Sequence, residues 1–111
     1  MEIKNFFMNE EIKLQKLDEK TSRKILAYND NLMIVEVHFE KDGIGSMHIH
    51  PHEQITYVIE GEFEFTINGV KKVVKKGDSL YMQKDVLHGA HCLKKGVLLD
   101  IFTPHREDFL N

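Results

Sequence analysis

Three histidines and one glutamine have the residue types and the spacing to hold a metal ion. His48 and His50 are two positions apart, and Gln54 follows after four more. On a strand, His48 and His50 would point to the same face, so both imidazoles could converge on one ion. Pro51 would bend or end that strand, because proline cannot donate a ladder hydrogen bond. The bend would fold Gln54 back toward the same point.

The fourth ligand must come from elsewhere in the chain, and His88 is our candidate, delivered by a loop over Gln83–Leu87. Gln54 could instead support the site from outside the ligand set, and His52 could replace it as a ligand. We favour Gln54, because His52 follows directly after Pro51 and is expected to face outward. Imidazole suits Zn, Ni, Cu and Fe, whereas a glutamine oxygen is a weaker, neutral donor.

Four neutral ligands would leave the full positive charge of the ion uncompensated. Such a site is a good Lewis acid and attracts an anionic substrate. The remaining histidines of the strands and the tail, His38, His91 and His105, receive no metal role, because their positions place them away from the cluster.

The segments that must position these residues are short strands separated by turn signals. Clean alternation predicts that Phe63, Phe65 and Ile67 share one face, and Val73 is expected to point inward across the Asn68-Gly69 hairpin. No segment with helical periodicity competes, so the sequence predicts an all-β sandwich or barrel. The firmest predicted strands are Arg23–Tyr28, Leu32–Glu40, Gly45–His50, Gln54–Glu60, Glu62–Ile67, Val70–Lys75, Ser79–Met82, Ala90–Leu93 and Val97–Phe102.

Length and composition bound the class of protein. The chain has 111 residues, which predicts a single domain over 1–111, and its net charge of −3 argues against nucleic acid as a partner. Cys92 is the only cysteine, and neither a signal peptide nor a membrane-spanning segment is recognisable, so we expect a cytoplasmic protein. In the N-terminal segment 1–20, Phe6 and Phe7 could dock on the partner subunit of a homodimer or cover the domain's own core edge.

Two stretches of the sequence resemble the motifs of the cupin family. In residues 43–61, His48-Ile-His50 is followed at the motif spacing by Gln54, which replaces the usual glutamate, and then by Gly61. In residues 77–92, Gly77 and His88 have the expected separation. The motif's proline, second glycine and asparagine are replaced there by Gln83, Asp85 and Cys92.

This resemblance implies a jelly-roll β-barrel that holds one divalent metal ion, either Ni, Zn, Mn or Fe. The ligands that it implies are His48, His50, Gln54 and His88.

A more specific similarity links the chain to the KdgF-like cupins of bacterial pectin and alginate breakdown. It covers Ile25–Asn29, His48–Gln54, Phe63–Ile67, Leu87–Gly89 and the terminal pieces Leu98–Pro104 and Arg106–Phe109. This similarity implies conversion of 4,5-unsaturated monouronates, the products of lyases, into linear keto forms. The substrate would be a small anionic sugar.

In such proteins the equivalents of Asp100, Phe102 and Arg106 line the site. The resemblance therefore implies Asp100 as general base or proton relay, Arg106 as the clamp for the uronate carboxylate, and Phe102 as an apolar wall. Without the resemblance, Asp100 and Arg106 would be interpreted as surface residues.

Two other functions fit a small metal-binding barrel. One is a sugar- or metal-binding module without turnover, and the other is a cupin dioxygenase. A binding module would not need Asp100 as a base in the barrel, and a dioxygenase would need redox-active iron or copper.

Overall fold

Strands account for most of residues 3–110, the part of the chain that this computed structural model describes. The predicted domain also includes residues 1, 2 and 111, which lie outside the described residues. Residues 1 and 2 belong to the predicted N-terminal segment. The eight strands described are β1 Gln15–Lys16, β2 Thr21–Tyr28, β3 Met33–Phe39, β4 Ile44–His48, β5 Glu53–Ile67, β6 Val70–Lys75, β7 Ser79–Met82 and β8 His88–Thr103. Short 3-10 turns occupy Asn9–Glu11 and Glu107–Leu110. Within residues 3–110, no helix is long and apolar enough to cross a membrane.

Two long, bent strands connect the two sheets of the fold. The first half of β5 pairs with β7 and with the end of β8, and its second half pairs with β6 and with the start of β8. One sheet therefore has the order β1-β2-β3-β8-β5-β7, and the other has the order β4-β8-β5-β6. All pairings are antiparallel. The predicted all-β class and the jelly-roll barrel are confirmed.

Two predicted turns are in fact bends within continuous strands: Glu60-Gly61 lies within β5, and Lys94-Lys95-Gly96 lies within β8. The prediction of separate strands on either side of them is wrong, because register shifts near Gly61 absorb the bend without ending the pairing. Gly61 has φ +89°, and a Cβ atom there would lie 2.6 Å from the Cα atom of Gly96. Two residues without side chains thus let the backbones of both strands meet where they bend.

The hydrophobic core lies between the two sheets. Phe63 and Phe65 are buried and Ile67 packs against them, as the alternation predicts. The prediction for Val73 is wrong, since its side chain is 55% exposed while Val74 is buried. The two-residue hairpin pairs Phe63 with Val74, and residues opposite each other share a face of the sheet.

The N-terminal segment adds β1 to the edge of the larger sheet. The ring of Phe7 packs 5.6 Å from that of Tyr28, so this residue covers an edge of its own domain. Phe6 is 78% exposed. A role for this segment in a homodimer stays a prediction.

Candidate metal centre

Three histidine rings converge in the barrel. One ring nitrogen from each of His48, His50 and His88 lies within 4.8 Å of the others. The ring of His88 is 4.4 Å from that of His48 and 4.9 Å from that of His50, measured between centroids. Side chains this close can close around one ion with ordinary metal–nitrogen bonds of about 2.1 Å.

Strand pairing and one loop contact bring the two halves of the cluster together. His48 ends β4 directly opposite His88, which begins β8. The predicted extension of this strand to His50 is wrong, because β4 ends at His48. The carbonyl of His50 instead accepts a hydrogen bond of 3.0 Å from the backbone N–H of Asp85, which fixes the segment before Pro51 to the loop before β8.

The hydrogen bonds of the rings leave nitrogen atoms free for a metal. Nδ1 of His48 lies 2.7 Å from the carbonyl of Ser46, and Nδ1 of His88 lies 3.0 Å from that of Val86. Because a carbonyl only accepts, both Nδ1 atoms carry the proton and both Nε2 atoms keep a lone pair. Nε2 of His88 is buried without a hydrogen-bond partner in the described chain. A divalent cation would satisfy this atom, so the residues present fit such an ion.

Burial keeps the imidazoles of His50 and His88 neutral. Loss of water, and then the nearby charge of Arg106, lower the pKa of His50 to about 4. Burial also lowers the pKa of His88. A histidine binds a metal in its neutral form, so the ring nitrogens stay available for binding well below neutral pH.

Gln54 presents its amide oxygen to the cluster. Oε1 lies 3.0 Å from Nε2 of His50, while Nε2 of Gln54 donates a hydrogen bond of 2.9 Å to the hydroxyl of Thr56. Thr56 in turn donates a bond of 2.7 Å to the carboxylate of Asp100. Neighbouring ligands around an octahedral ion with bonds of about 2.1 Å are separated by about 3.0 Å. The same distance is that of a hydrogen bond from the ring N–H of His50 to Oε1, so ligation by Gln54 stays a prediction.

A cavity of about 160 Å³ adjoins the cluster. Two pairs from the register, Thr56 with Asp100 and Gln54 with Phe102, bring the end of β8 to this cavity. The predicted site residues that line it are His48, Gln54, His88, Asp100, Phe102 and Arg106. The structure therefore brings together residues that lie up to 58 positions apart in the sequence (48 to 106).

Asp100 has an acid–base character that differs from that of a surface carboxylate. Burial raises its pKa to about 6, although the hydrogen bond from Thr56, the nearby amide of Gln54 and the charge of Arg106 act in the opposite direction. A group with a pKa near the working pH is well suited to take up and return a proton.

Arg106 is held in place by its neighbours in the tail. Its side chain is only 10% exposed, and the guanidinium lies 4.2 Å from the ring centroid of Phe109 and 5.1 Å from that of Phe102. Nε and Nη2 bond both carboxylate oxygens of Asp108, at 3.1 and 2.9 Å. Nη1 has no such partner among residues 3–110. Asp108 and Phe109 were missed as positioning residues; their nearness to Arg106 in the sequence was the available signal.

The other histidines lie outside the cluster. His52 is half-buried, with its ring 5.3 Å from that of His50, so the expectation that it faces outward is wrong. Polar neighbours account for the remaining three: His38 bonds Glu36 at 2.7 Å, His91 bonds Asp42 at 3.0 Å and His105 bonds the carbonyl of Asp30 at 2.9 Å.

Two antiparallel sheets rolled around converging histidines define a cupin-type barrel. A family model described as a cupin domain matches residues 35–102. A solved structure of an RmlC-like cupin from Shewanella frigidimarina is 39% identical, with a TM-score of 0.91 and 96% of each chain covered.

Two further relatives, one from the curated proteins and one from the solved structures, are both KdgF proteins. The pectin degradation protein KdgF of Dickeya dadantii is 42% identical over 97% of this chain and 100% of its own length. The solved structure of KdgF from a Halomonas species is 35% identical with a TM-score of 0.90, and the match covers 96% of this chain and 99% of that one. The chain therefore belongs to the cupin family, in its KdgF group.

A divalent ion should stabilise the metal-free protein. At 100 times the dissociation constant, Ni²⁺ is expected to add about 2.7 kcal/mol to the free energy of unfolding, which raises Tm by about 10 °C. His88→Leu should remove this shift, and the control His91→Leu should keep it, because His91 bonds Asp42 outside the cluster. Thermal unfolding with and without metal measures both. An equal shift in the two variants would contradict a site at His88.

The metal-free protein should also show opposing pH dependences from His50 and Asp100. Between pH 4 and 6.5 His50 binds fewer protons when folded, so its contribution makes the free energy of unfolding rise with pH. Asp100, with a folded pKa of about 6, binds more protons when folded, so its contribution falls with pH from about 4 to 6.

Asp100→Asn removes the contribution of Asp100 to the pH dependence of the free energy of unfolding. The variant's free energy of unfolding should therefore gain on the order of 2 kcal/mol, relative to the parent, between pH 4 and 6.5. Urea unfolding at several pH values measures the difference. Parallel curves for the two proteins would show that Asp100 titrates normally.

Proposed function

We propose that this protein is a metal-dependent enzyme that opens the ring of 4,5-unsaturated monouronates and yields their linear keto forms. The observation that carries the proposal is that Asp100 and Arg106 line the same cavity as His48, Gln54 and His88. A module that only binds sugar has no need of a buried carboxylate with a pKa of about 6 beside the ligand cluster. The relation to a pectin degradation protein agrees with this substrate class.

The size of the cavity favours a single sugar unit. Its volume of about 160 Å³ is below the range of roughly 300–1,000 Å³ typical of pockets for drug-sized ligands. A monouronate is therefore a more suitable substrate than an oligosaccharide.

The substrate is a cyclic hemiacetal with a C4=C5 double bond, a ring oxygen on C5 and a carboxylate on the same carbon. A divalent ion held by His48, His50, His88 and Gln54 would supply Lewis acidity, which stabilises negative charge that develops on oxygen.

Arg106 binds the substrate carboxylate. Because Asp108 occupies Nε–H and one N–H of Nη2, the two N–H groups of Nη1 and the second N–H of Nη2 remain for the substrate. Cation–π contacts with Phe102 and Phe109 hold the guanidinium in place, which limits the entropy lost on binding. Phe102 also forms an apolar wall of the cavity.

Asp100 moves the proton. Its carboxylate takes the proton of the C1 hydroxyl, the C1 carbonyl forms, and the bond from C1 to the ring oxygen breaks. The electron pair passes to the former ring oxygen, which becomes an enolate oxygen on C5. Return of the proton to C4 gives the C5 ketone, so the reaction is an isomerisation with no net gain or loss of protons. A pKa of about 6 lets one group serve both steps.

Asp100→Asn should abolish turnover while metal binding persists. Loss of general base catalysis is expected to lower kcat by about 10²- to 10⁴-fold. The decrease in ultraviolet absorbance of the conjugated double bond measures turnover, and metal analysis of the purified variant measures binding. Asp42→Asn, which alters an exposed carboxylate outside the cavity, is the control. Full activity of the Asp100 variant would exclude it as the base.

Arg106→Gln should mainly weaken substrate binding. Loss of a hydrogen-bonded ion pair, worth about 1.5–3 kcal/mol, predicts a KM higher by about 10- to 100-fold. Arg23→Gln is a matched control, because Arg23 packs 3.9 Å from the centroid of Phe109 and does not line the cavity. Steady-state kinetics of both variants provides the comparison, and equal effects on KM would argue against a carboxylate clamp at Arg106.

A further inference from the structure

We propose that Thr56 is a positioning residue whose hydroxyl sets which end of the Gln54 carboxamide faces the histidines. The inference rests on the proposed ligation by Gln54 and explains how a neutral amide is oriented for that role. It concerns Thr56 itself, whose hydroxyl contacts Gln54 and the base Asp100 and has no contact with the substrate in the proposed mechanism.

The three residues form one chain of hydrogen bonds, in which Gln54 and Thr56 are buried and Asp100 is half-buried at the cavity. Gln54 and Thr56 alternate along β5 and so share a face, and the register places Asp100 of β8 directly opposite Thr56. The side chain of Gln54 donates to Thr56 at 2.9 Å, and Thr56 donates to Asp100 at 2.7 Å. Thr56 is fully buried and Gln54 is 6% exposed, so water does not compete readily for these bonds.

The direction of the chain follows from the donors available. An ionised carboxylate only accepts, so the single hydroxyl hydrogen of Thr56 must go to Asp100. The oxygen of Thr56 can then only accept from Gln54, which turns the NH₂ group of the amide toward Thr56. Oε1 is left facing His50, at 3.0 Å. A flipped amide would place two acceptors together and aim an NH₂ group, which cannot bind a metal, at the cluster.

The same chain explains why glutamine occupies the position where the cupin motif has glutamate. An ionised glutamate at position 54 would have no hydrogen to donate to Thr56, and it would place a second negative charge close to Asp100. With Gln54, the negative charge of the site resides on Asp100, where the proposed reaction needs a base. Thr56 is therefore the link between the ligand and the base.

Affinity for Ni²⁺ tests the inference without any substrate. Thr56→Val keeps the shape of the side chain and removes the hydroxyl, and it should weaken Ni²⁺ binding by about 10- to 100-fold, as loss of partners behind a ligand does. Thr56→Ser keeps the hydroxyl and should bind nearly as the parent does. Thr21→Val, a buried threonine on the same cavity but outside the chain of bonds, should leave affinity unchanged. Competition with a chromophoric chelator measures each affinity.

A double-mutant cycle shows whether Thr56 acts through Gln54. In the Gln54→Ala background, Thr56→Val should have no further effect. The same loss with and without Gln54 would overturn the inference, as would a Thr56→Val variant with parental affinity. If Gln54→Ala itself binds Ni²⁺ like the parent, the proposed ligation by Gln54 fails, and this inference fails with it. If Gln54→Ala binds Ni²⁺ weakly while Thr56→Val keeps parental affinity, only this inference fails. Should Thr56→Val not fold, Thr56→Cys, with a weakly bonding thiol, carries the same expectations.

Discussion

The central constraint on this molecule is that polar side chains buried inside a β-barrel must have partners. Removing an imidazole or a carboxylate from water is costly unless another group replaces the lost hydrogen bonds. At the centre of the barrel, a buried nitrogen of His88 has no hydrogen-bond partner within residues 3–110, and Asp100 has a pKa of about 6. Both conditions are unfavourable for stability alone, and both are what a metal site with an adjacent base requires.

The two sheets supply the rigidity that such a site needs. The strands that carry site residues are β4, β5 and β8, and both β4 and β5 pair with β8. Backbone hydrogen bonds therefore fix His48, Gln54 and Asp100 relative to one another. Only His50 and Arg106 lie outside the strands, and each is tied down by other means. His50 is held through its carbonyl, and Arg106 is held by Asp108 and two aromatic rings.

Much of this could be predicted from the sequence, for identifiable reasons. Alternation and turn residues are local signals, and they predicted the all-β class and the inward face of Phe63 and Phe65. The inward placement of Val73 failed because the pairing across a hairpin, rather than hydrophobicity, decides which valine is buried. The bends in β5 and β8 were mistaken for turns, since glycine serves both and only the tertiary contact distinguishes them.

The site was predictable in part. The spacing of His48 and His50 indicated a metal, whereas the place of Asp100 beside it depends on the register of β5 and β8, which no local pattern encodes. For Asp100 and Arg106 the family resemblance supplied what periodicity could not. The contact of Thr56 with Asp100, 44 positions away, gave no sequence signal at all.

The close approach of Gly61 and Gly96 also limits how the sequence of this protein can evolve. A side chain on either residue would collide with the backbone of the opposite strand, so neither position can be varied independently. The bend shared by β5 and β8 is thus fixed, and with it the angle between the sheets. Substitutions among descendants of this chain should accumulate in the loops and the tail, while the two glycines at the bend are retained.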